Sequence, residues 1–231
     1  MKVEPSVLAQ VPLFRRLAVE HLRQLAGVAV RRVFRRGEIV FHKGDPGGAL
    51  YLIREGQVKI VLPSTDGGEA LLAVLGPGEF FGELSLFDGA SRSATVVAVE
   101  PTETLVLRRD DFLGVLTSQP QVAIELLRVL SQRLRATDEL IEDAVFLDLG
   151  GRLVKKLLEL AESHGCQTPQ GVAIRLRLTQ QELASMVGAS RESVNKHLSS
   201  LRARGLIALD RGQITLRRPD QLRRYLEQRL E

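Results

Sequence analysis

Between Gly82 and Ala94 the chain reads Gly-Glu-Leu-Ser-Leu-Phe-Asp-Gly-Ala-Ser-Arg-Ser-Ala, without strand alternation until its last residue. Gly82 followed by Glu83, Leu84 and Ser85 suits one helical turn whose free N–H groups face an anion. Arg92 and Ser93 return as further donors, and a guanidinium backed by N–H and hydroxyl groups is what an anion such as phosphate needs. A Glu83 carboxylate beside such a cationic nest can accept from a ligand's hydroxyls, for instance those of a ribose. A plainer arrangement fits the same residues: a surface loop in which Glu83 and Arg92 pair with each other.

A second set of chemically useful residues lies further on. Thr179-Gln180-Gln181-Glu182 is a capping box, which starts a helix through Leu183, Ala184, Met186 and Val187 that Gly188 stops. Ser190 caps a second helix running from Arg191 to about Arg204, with Gly205 at its end. Small Ala184 lets the two helices approach, and Val194 and Leu198 pack inward, which is helix-turn-helix spacing. Segments 206–209 and 213–216, around Asp210-Arg211-Gly212, make a hairpin and so a wing. Arg191, Glu192 and Lys196 then stand in the first turn and a half of the second helix, where side chains reach base edges.

These two sites need elements to hold them. Segments 38–42, 49–53, 58–62, 70–75, 95–99 and 103–107 are β-rich and separated by turn signals such as Gly44-Asp45-Pro46-Gly47-Gly48, Asp66-Gly67-Gly68 and Gly76-Pro77-Gly78. That spacing predicts an all-β sandwich or barrel behind a small helical start over 1–28. A short helix over 110–118 leads into a long one from Pro120 to Leu149, which the Gly150-Gly151 pair would end. Along it Ala123, Leu127, Leu130, Leu134, Thr137, Ile141 and Ala144 step alternately by four and three. This heptad seam predicts a symmetric dimer of parallel-lying helices; the alternative is an ordinary amphipathic core helix. A helix over 152–163, a basic strand over 172–178 carrying Arg175 and Arg177, and a last helix over 220–230 complete the reading.

Composition narrows the function classes. The single Cys166 excludes a disulfide framework and any four-cysteine metal or iron–sulfur site. No apolar run approaches the roughly eighteen residues of a membrane span, so no membrane partner and a cytoplasmic address are expected. From Gly150 onward there are fifteen Lys and Arg against eight Asp and Glu, a net of +7, whereas the preceding residues carry −3. Only the back of the chain is therefore suited to a polyanion. No G-x-S-x-G, H-E-x-x-H or G-x-x-x-x-G-K signature is present, and His21, His42, His164 and His197 stand in no metal-ligand spacing, so neither an enzyme nor a metalloprotein is expected.

Together the Gly-punctuated β-region, Gly82-Glu83-Leu84 … Arg92-Ser93-Ala94, the long helix ending Phe146-Leu147-Asp148 and Ser190-Arg191-Glu192-Ser193-Val194 resemble the cyclic-AMP receptor protein/FNR family of bacterial transcription regulators over nearly the whole chain. The resemblance implies an α+β fold: a cyclic-nucleotide-binding β-roll (jelly roll) over 1–118, a dimerisation helix and hinge over 119–149, and a winged helix-turn-helix over 150–231. It makes Gly82–Ala94 a phosphate-binding cassette formed by Gly82, Glu83, Leu84, Ser85, Arg92, Ser93 and Ala94. Glu83 would take the ribose 2′-hydroxyl, Arg92 and Ser93 the cyclic phosphate, Thr137 the base, and Asp138 the base held by the partner subunit. Cyclic AMP is the expected effector. A carboxylate at Asp138 departs from the small neutral residue of cyclic-AMP-responsive members and also suits cyclic GMP.

The same resemblance implies a DNA contact set of Thr179, Gln180, Ser190, Arg191, Glu192, Asn195 and Lys196, the last replacing a family Arg, on palindromic TGTGA-like half-sites. It also implies a hinge at Asp148, Gly150 and Gly151, and RNA polymerase as a partner. FNR-type oxygen sensing would need an N-terminal cysteine cluster, which is lacking, and haem sensing axial ligands that His21 and His42 do not supply.

Overall fold

A computed structural model describes residues 3–64, 68–176, 178–210 and 213–228. The turn residues Asp66, Gly67, Arg211 and Gly212, the strand residue Arg177 and the helix end Leu230 therefore lie outside the described residues. The chain divides into two compact units, Met1–Pro63 with Leu72–Arg135, and Ser64–Leu71 with Ala136–Glu231.

The first unit opens with helices α1 (Pro5–Ala9) and α2 (Val19–Val28), then alternates strands β1 (Val30–Phe34), β2 (Ile39–Phe41), β3 (Ala49–Glu55), β4 (Val58–Pro63), β5 (Glu69–Leu75) and β6 (Phe80–Phe81). Helix α3 (Leu84–Asp88) interrupts the strands before β7 (Thr95–Ala98) and β8 (Thr102–Arg108); α4 (Arg109–Ser118) and α5 (Pro120–Phe146) follow. The strands form two four-stranded sheets, ordered β1-β8-β3-β6 and β2-β7-β4-β5.

The two-residue period of β3 explains the layers. Tyr51 and Ile53 face a core shared with Phe81, Val96 and Ala98, and the Tyr51 and Phe81 rings stack at 5.0 Å. Leu50 and Leu52 face the other way, onto a core with Phe14, Leu25, Phe112, Val122 and Leu126. The unit is thus sheet on sheet with helices over one outer face. Glu103, buried in β8, is held below its ordinary value by hydrogen bonding to Arg31 against the opposing effect of burial, with Arg54 as its other partner at 2.6 Å.

The second unit carries α6 (Leu149–His164), β9 (Gly165–Thr168), β10 (Gly171–Ile174), α7 (Gln180–Val187), α8 (Arg191–Ala203), β11 (Ile207–Asp210), β12 (Gln213–Leu216) and α9 (Pro219–Glu227). Its sheet runs β11-β12-β10-β9, and Leu153, Leu157, Ile174, Leu183, Val194, Leu198 and Leu222 form its core. Leu222 gives the last helix its place: it is fully buried, so α9 is part of this core.

Two expectations change. The Gly150-Gly151 pair does not end the long helix; it sits inside the first turn of α6. Asp148 caps that helix, accepting from the Gly151 N–H at 2.7 Å, so the break is Leu147–Asp148. A side chain at Gly150 would stand 2.8 Å from the Tyr225 hydroxyl, which makes these glycines packing residues. The strand expected over 172–178 stops at Ile174, because its partner β9 supplies only four paired residues.

Candidate functional site

The first candidate site is built around Arg92. Its side chain is buried, and its guanidinium donates to the Gly82 carbonyl at 2.6 Å, the Ser85 hydroxyl at 2.9 Å and the Ala49 carbonyl at 2.9 Å. The guanidinium carbon lies 4.3 Å from the Phe41 ring centroid and 5.8 Å from that of Tyr51. None of the ion pairs among the described residues includes Arg92, and its buried Nε has no hydrogen-bond partner. Burial pushes this guanidinium below its ordinary value, although Tyr51, Glu83 and Asp45 oppose the shift. A buried guanidinium that donates to neutral oxygens, lies over aromatic faces and forms no ion pair among the described residues is chemically suited to receiving an anion.

Local backbone explains how Arg92 is held. Gly82 has φ +83°, and a Cβ there would lie 2.6 Å from the Arg92 guanidinium. Only glycine meets both demands. Gly47 likewise leaves room for Ser85, whose hydroxyl would stand 2.1 Å from an added Cβ. The helical turn expected after Gly82 is α3, closed by Gly89 in the left-handed conformation.

Glu83 is buried beside Arg92 but pairs elsewhere. Its carboxylate meets the Arg133 guanidinium of α5 at 3.0 Å, and Arg133 also donates to the Phe80 carbonyl and lies 4.7 Å over the Phe80 ring. The surface loop in which Glu83 and Arg92 neutralise each other is not what forms. Arg133 lies off the seam of the long helix, and sequence reasoning gave it no site role. Its position one turn before Thr137 was the available signal, since residues four apart share a helix face.

The structure thus gathers Gly82, Glu83, Ser85 and Arg92 with Arg133. Ala94 is buried immediately before β7, whereas Leu84 and Ser93 are exposed. Thr137 and Asp138 are exposed on α5 beyond the first unit.

The seam of α5 is divided. Val122 and Leu126 are buried and Leu130 packs on the same core, so part of the helix is the amphipathic core helix considered as the alternative. Leu127, Leu134 and Ile141, each seven residues apart, remain 62%, 62% and 57% exposed. Thr137 and Ala144 are exposed as well, and Ala123 is half-buried.

The second candidate site is α7–α8. Thr179 and Glu182 form the full capping box, and Gly188 makes the turn at φ 61°. Ser190 caps α8 by accepting from the Ser193 N–H. The hydroxyls of Thr179 and Ser190 are therefore engaged in capping. Arg191, Glu192, Asn195 and Lys196 are exposed on one end of α8, and Asn195 accepts from the Gln180 amide at 3.2 Å. Below this pair of helices, Arg152 ties the break to α7, donating to the Leu147 and Val187 carbonyls at 2.9 and 3.0 Å. Lys155 meets Asp143 at 2.6 Å across the same break. Burial lowers the Lys155 ammonium, but the hydrogen bond and charge of Asp143 outweigh it and hold it above its ordinary value.

Comparison with known proteins matches two family profiles to the chain: a cyclic nucleotide-binding domain over residues 31–119 and a Crp-like helix-turn-helix domain over residues 151–225. The CRP-like cAMP-activated global transcriptional regulator of Mycobacterium tuberculosis is 36% identical, over 95% of this chain and 98% of that protein. The cyclic AMP receptor protein of Thermus thermophilus is 38% identical, over 89% of this chain and 92% of its own length. Among solved structures, the c-di-GMP responsive global regulator CLP of Xanthomonas campestris aligns with a TM-score of 0.74 at 30% identity, covering 86% of this chain and 99% of that one.

Proposed function

The chain belongs to the cyclic-AMP receptor protein/FNR family of transcription regulators, and from that premise we propose that it is a homodimer whose sequence-specific DNA binding is switched by cyclic AMP. The buried, uncompensated guanidinium of Arg92 carries this reading, because an anionic ligand completes its environment. Arg92 and Ser93 hold the cyclic phosphate, and Glu83, oriented by Arg133, accepts from the ribose. Thr137 and the partner subunit's Asp138 meet the base.

Dimerisation uses the exposed seam Leu127, Leu134, Thr137, Ile141 and Ala144, an apolar heptad row suited to a second copy of itself. The three-part division into 1–118, 119–149 and 150–231 follows this division of labour. The chain bends at Leu147–Asp148 when the long helices change register, which reorients the two α8 helices. In α8, Arg191 reads guanine, Glu192 accepts from cytosine and Lys196 reads guanine as a point charge, on TGTGA-like half-sites. RNA polymerase is the further partner of a regulator of this kind, and the cytoplasm is where DNA and polymerase are met.

The effector base deserves its own test, since regulators of this fold respond to different cyclic nucleotides, CLP to c-di-GMP among them. Adenine is favoured because Thr137 can donate to a ring nitrogen and accept from the 6-amino group, whose second hydrogen Asp138 accepts. Guanine offers Asp138 two adjacent donors and is the second reading. Calorimetry with both nucleotides on wild type and Asp138→Ser separates them. Tighter cyclic AMP binding to the wild type is expected; tighter cyclic GMP binding that Asp138→Ser abolishes would overturn the adenine assignment.

A further inference from the structure

The break at Leu147–Asp148 is followed by a weak turn. Helix α6 starts Leu149-Gly150-Gly151, and two glycines make a first turn that unwinds easily. A rotation applied at the break would be spent in that turn unless the turn is clamped to the helices beyond it. One clamp is Arg152, whose guanidinium donates to the Leu147 carbonyl and to the Val187 carbonyl of α7. Neither partner belongs to α8, the helix that carries Arg191, Glu192 and Lys196.

A second set of groups meets at Gly150. A Cβ there would stand 2.8 Å from the Tyr225 hydroxyl, 3.4 Å from an Asp148 carboxylate oxygen and 3.4 Å from His197 Nδ1. Asp148 caps α6, His197 belongs to α8 and Tyr225 to α9. The break, the base-reading helix and the last helix therefore converge on one point, where the missing side chain of Gly150 leaves room for the hydroxyl. A phenol both donates and accepts hydrogen bonds, so it suits a place shared with a carboxylate and an imidazole. Its ring is held as well. The Arg204 guanidinium carbon lies 5.3 Å from the ring centroid, and fully buried Leu222, about one turn earlier, anchors α9 in the core. Tyr225 and His197 are both half-buried, with His197 on the inner side of α8 directly after exposed Lys196.

We propose that the Tyr225 hydroxyl is a positioning group for the response to cyclic AMP: it clamps the first turn of α6 to α8, so that a bend at Leu147–Asp148 turns the base-reading helix instead of unwinding Gly150-Gly151. This rests on the reading of the chain as a cyclic AMP-switched regulator whose α8 reads bases. In this role Tyr225 touches neither nucleotide nor DNA and acts through Asp148, Gly150 and His197. A phenylalanine would fill the same space, so the contribution of the hydroxyl is separable from packing.

The test measures the affinity of the full-length dimer for a palindromic site selected from random DNA, by fluorescence anisotropy with and without saturating cyclic AMP. Wild type, Y225F, G150A and the double variant are compared, and the ratio of the two affinities is the coupling factor. Y225F removes one hydrogen-bonding group and lowers this factor by about threefold or more. Its affinity for the site without cyclic AMP, and for random DNA, stays at the wild-type value, which also shows that the second unit is folded. G150A puts a methyl group against the hydroxyl and lowers the factor to a similar degree. The double variant loses no more than Y225F alone, because both changes act on one contact.

Either single variant keeping the full factor would overturn the proposal, as would losses that add in the double variant. A Y225F chain that loses affinity equally with and without cyclic AMP would overturn it too, making Tyr225 a residue of the fold alone. A wild-type dimer whose affinity does not respond to cyclic AMP would refute the switch itself, and the clamp with it.

Discussion

At the scale of single residues, the proposed effector site rests on Arg92. Its guanidinium donates to neutral oxygens and makes no ion pair among the described residues, so on the proposed reading removing it strands a ligand's phosphate in a buried site, at a cost of about 3–5 kcal/mol. Arg92→Ala is expected to abolish binding of cyclic AMP and cyclic GMP alike in calorimetry, and Glu83→Ala to weaken both by less. Equal losses from the two variants would make Glu83 as indispensable as the guanidinium and contradict the ribose assignment. Arg191 is the matching residue on the DNA side. Arg191→Ala should cost roughly 1–3 kcal/mol on the specific site and relax preference at one base pair; weakening specific and random DNA equally would make it a phosphate contact. The Arg92 cassette was legible because glycine, carboxylate, hydroxyl and guanidinium fall within thirteen residues of sequence. Arg133 was not, since it comes from fifty residues away and its flanks look like any solvated helix surface.

Among the elements, α5 carries two apolar faces, one buried in the core of the first unit and one exposed. Lys at both Leu127 and Leu134 would place charges on the exposed seam, where an unpaired buried charge costs several kcal/mol. Sedimentation of this double variant should show monomer, and an unchanged dimer would move the interface elsewhere. The heptad was readable because its spacing survives even though Leu130 is used within the chain. Strands β1 and β6 were missed for different reasons. β1 is an edge strand with four of its five residues exposed, so it shows no alternation, and β6 has only two residues. The Gly150-Gly151 pair misled for a third reason: glycine serves close packing as readily as it ends helices, and here Asp148 provides the stop.

For the whole molecule, the charge division along the chain follows the division of labour. The C-terminal +7 belongs to the part that carries the helix-turn-helix domain, while the −3 before it belongs to the part that carries the cyclic nucleotide-binding domain and the buried Arg92. Coupling of the two sites requires that the nucleotide bind one arrangement of the dimer more tightly than the other, and by reciprocity DNA then raises nucleotide affinity by the same factor. The most direct test is the affinity of the dimer for its palindromic site, measured by fluorescence anisotropy with and without saturating cyclic AMP, in wild type and Arg92→Ala. Cyclic AMP should tighten wild-type binding by at least about fivefold, the lower end of ordinary allosteric coupling, and leave Arg92→Ala unchanged. Equal wild-type affinity in both conditions, or an Arg92→Ala dimer that still responds, would contradict a switch operated through this site.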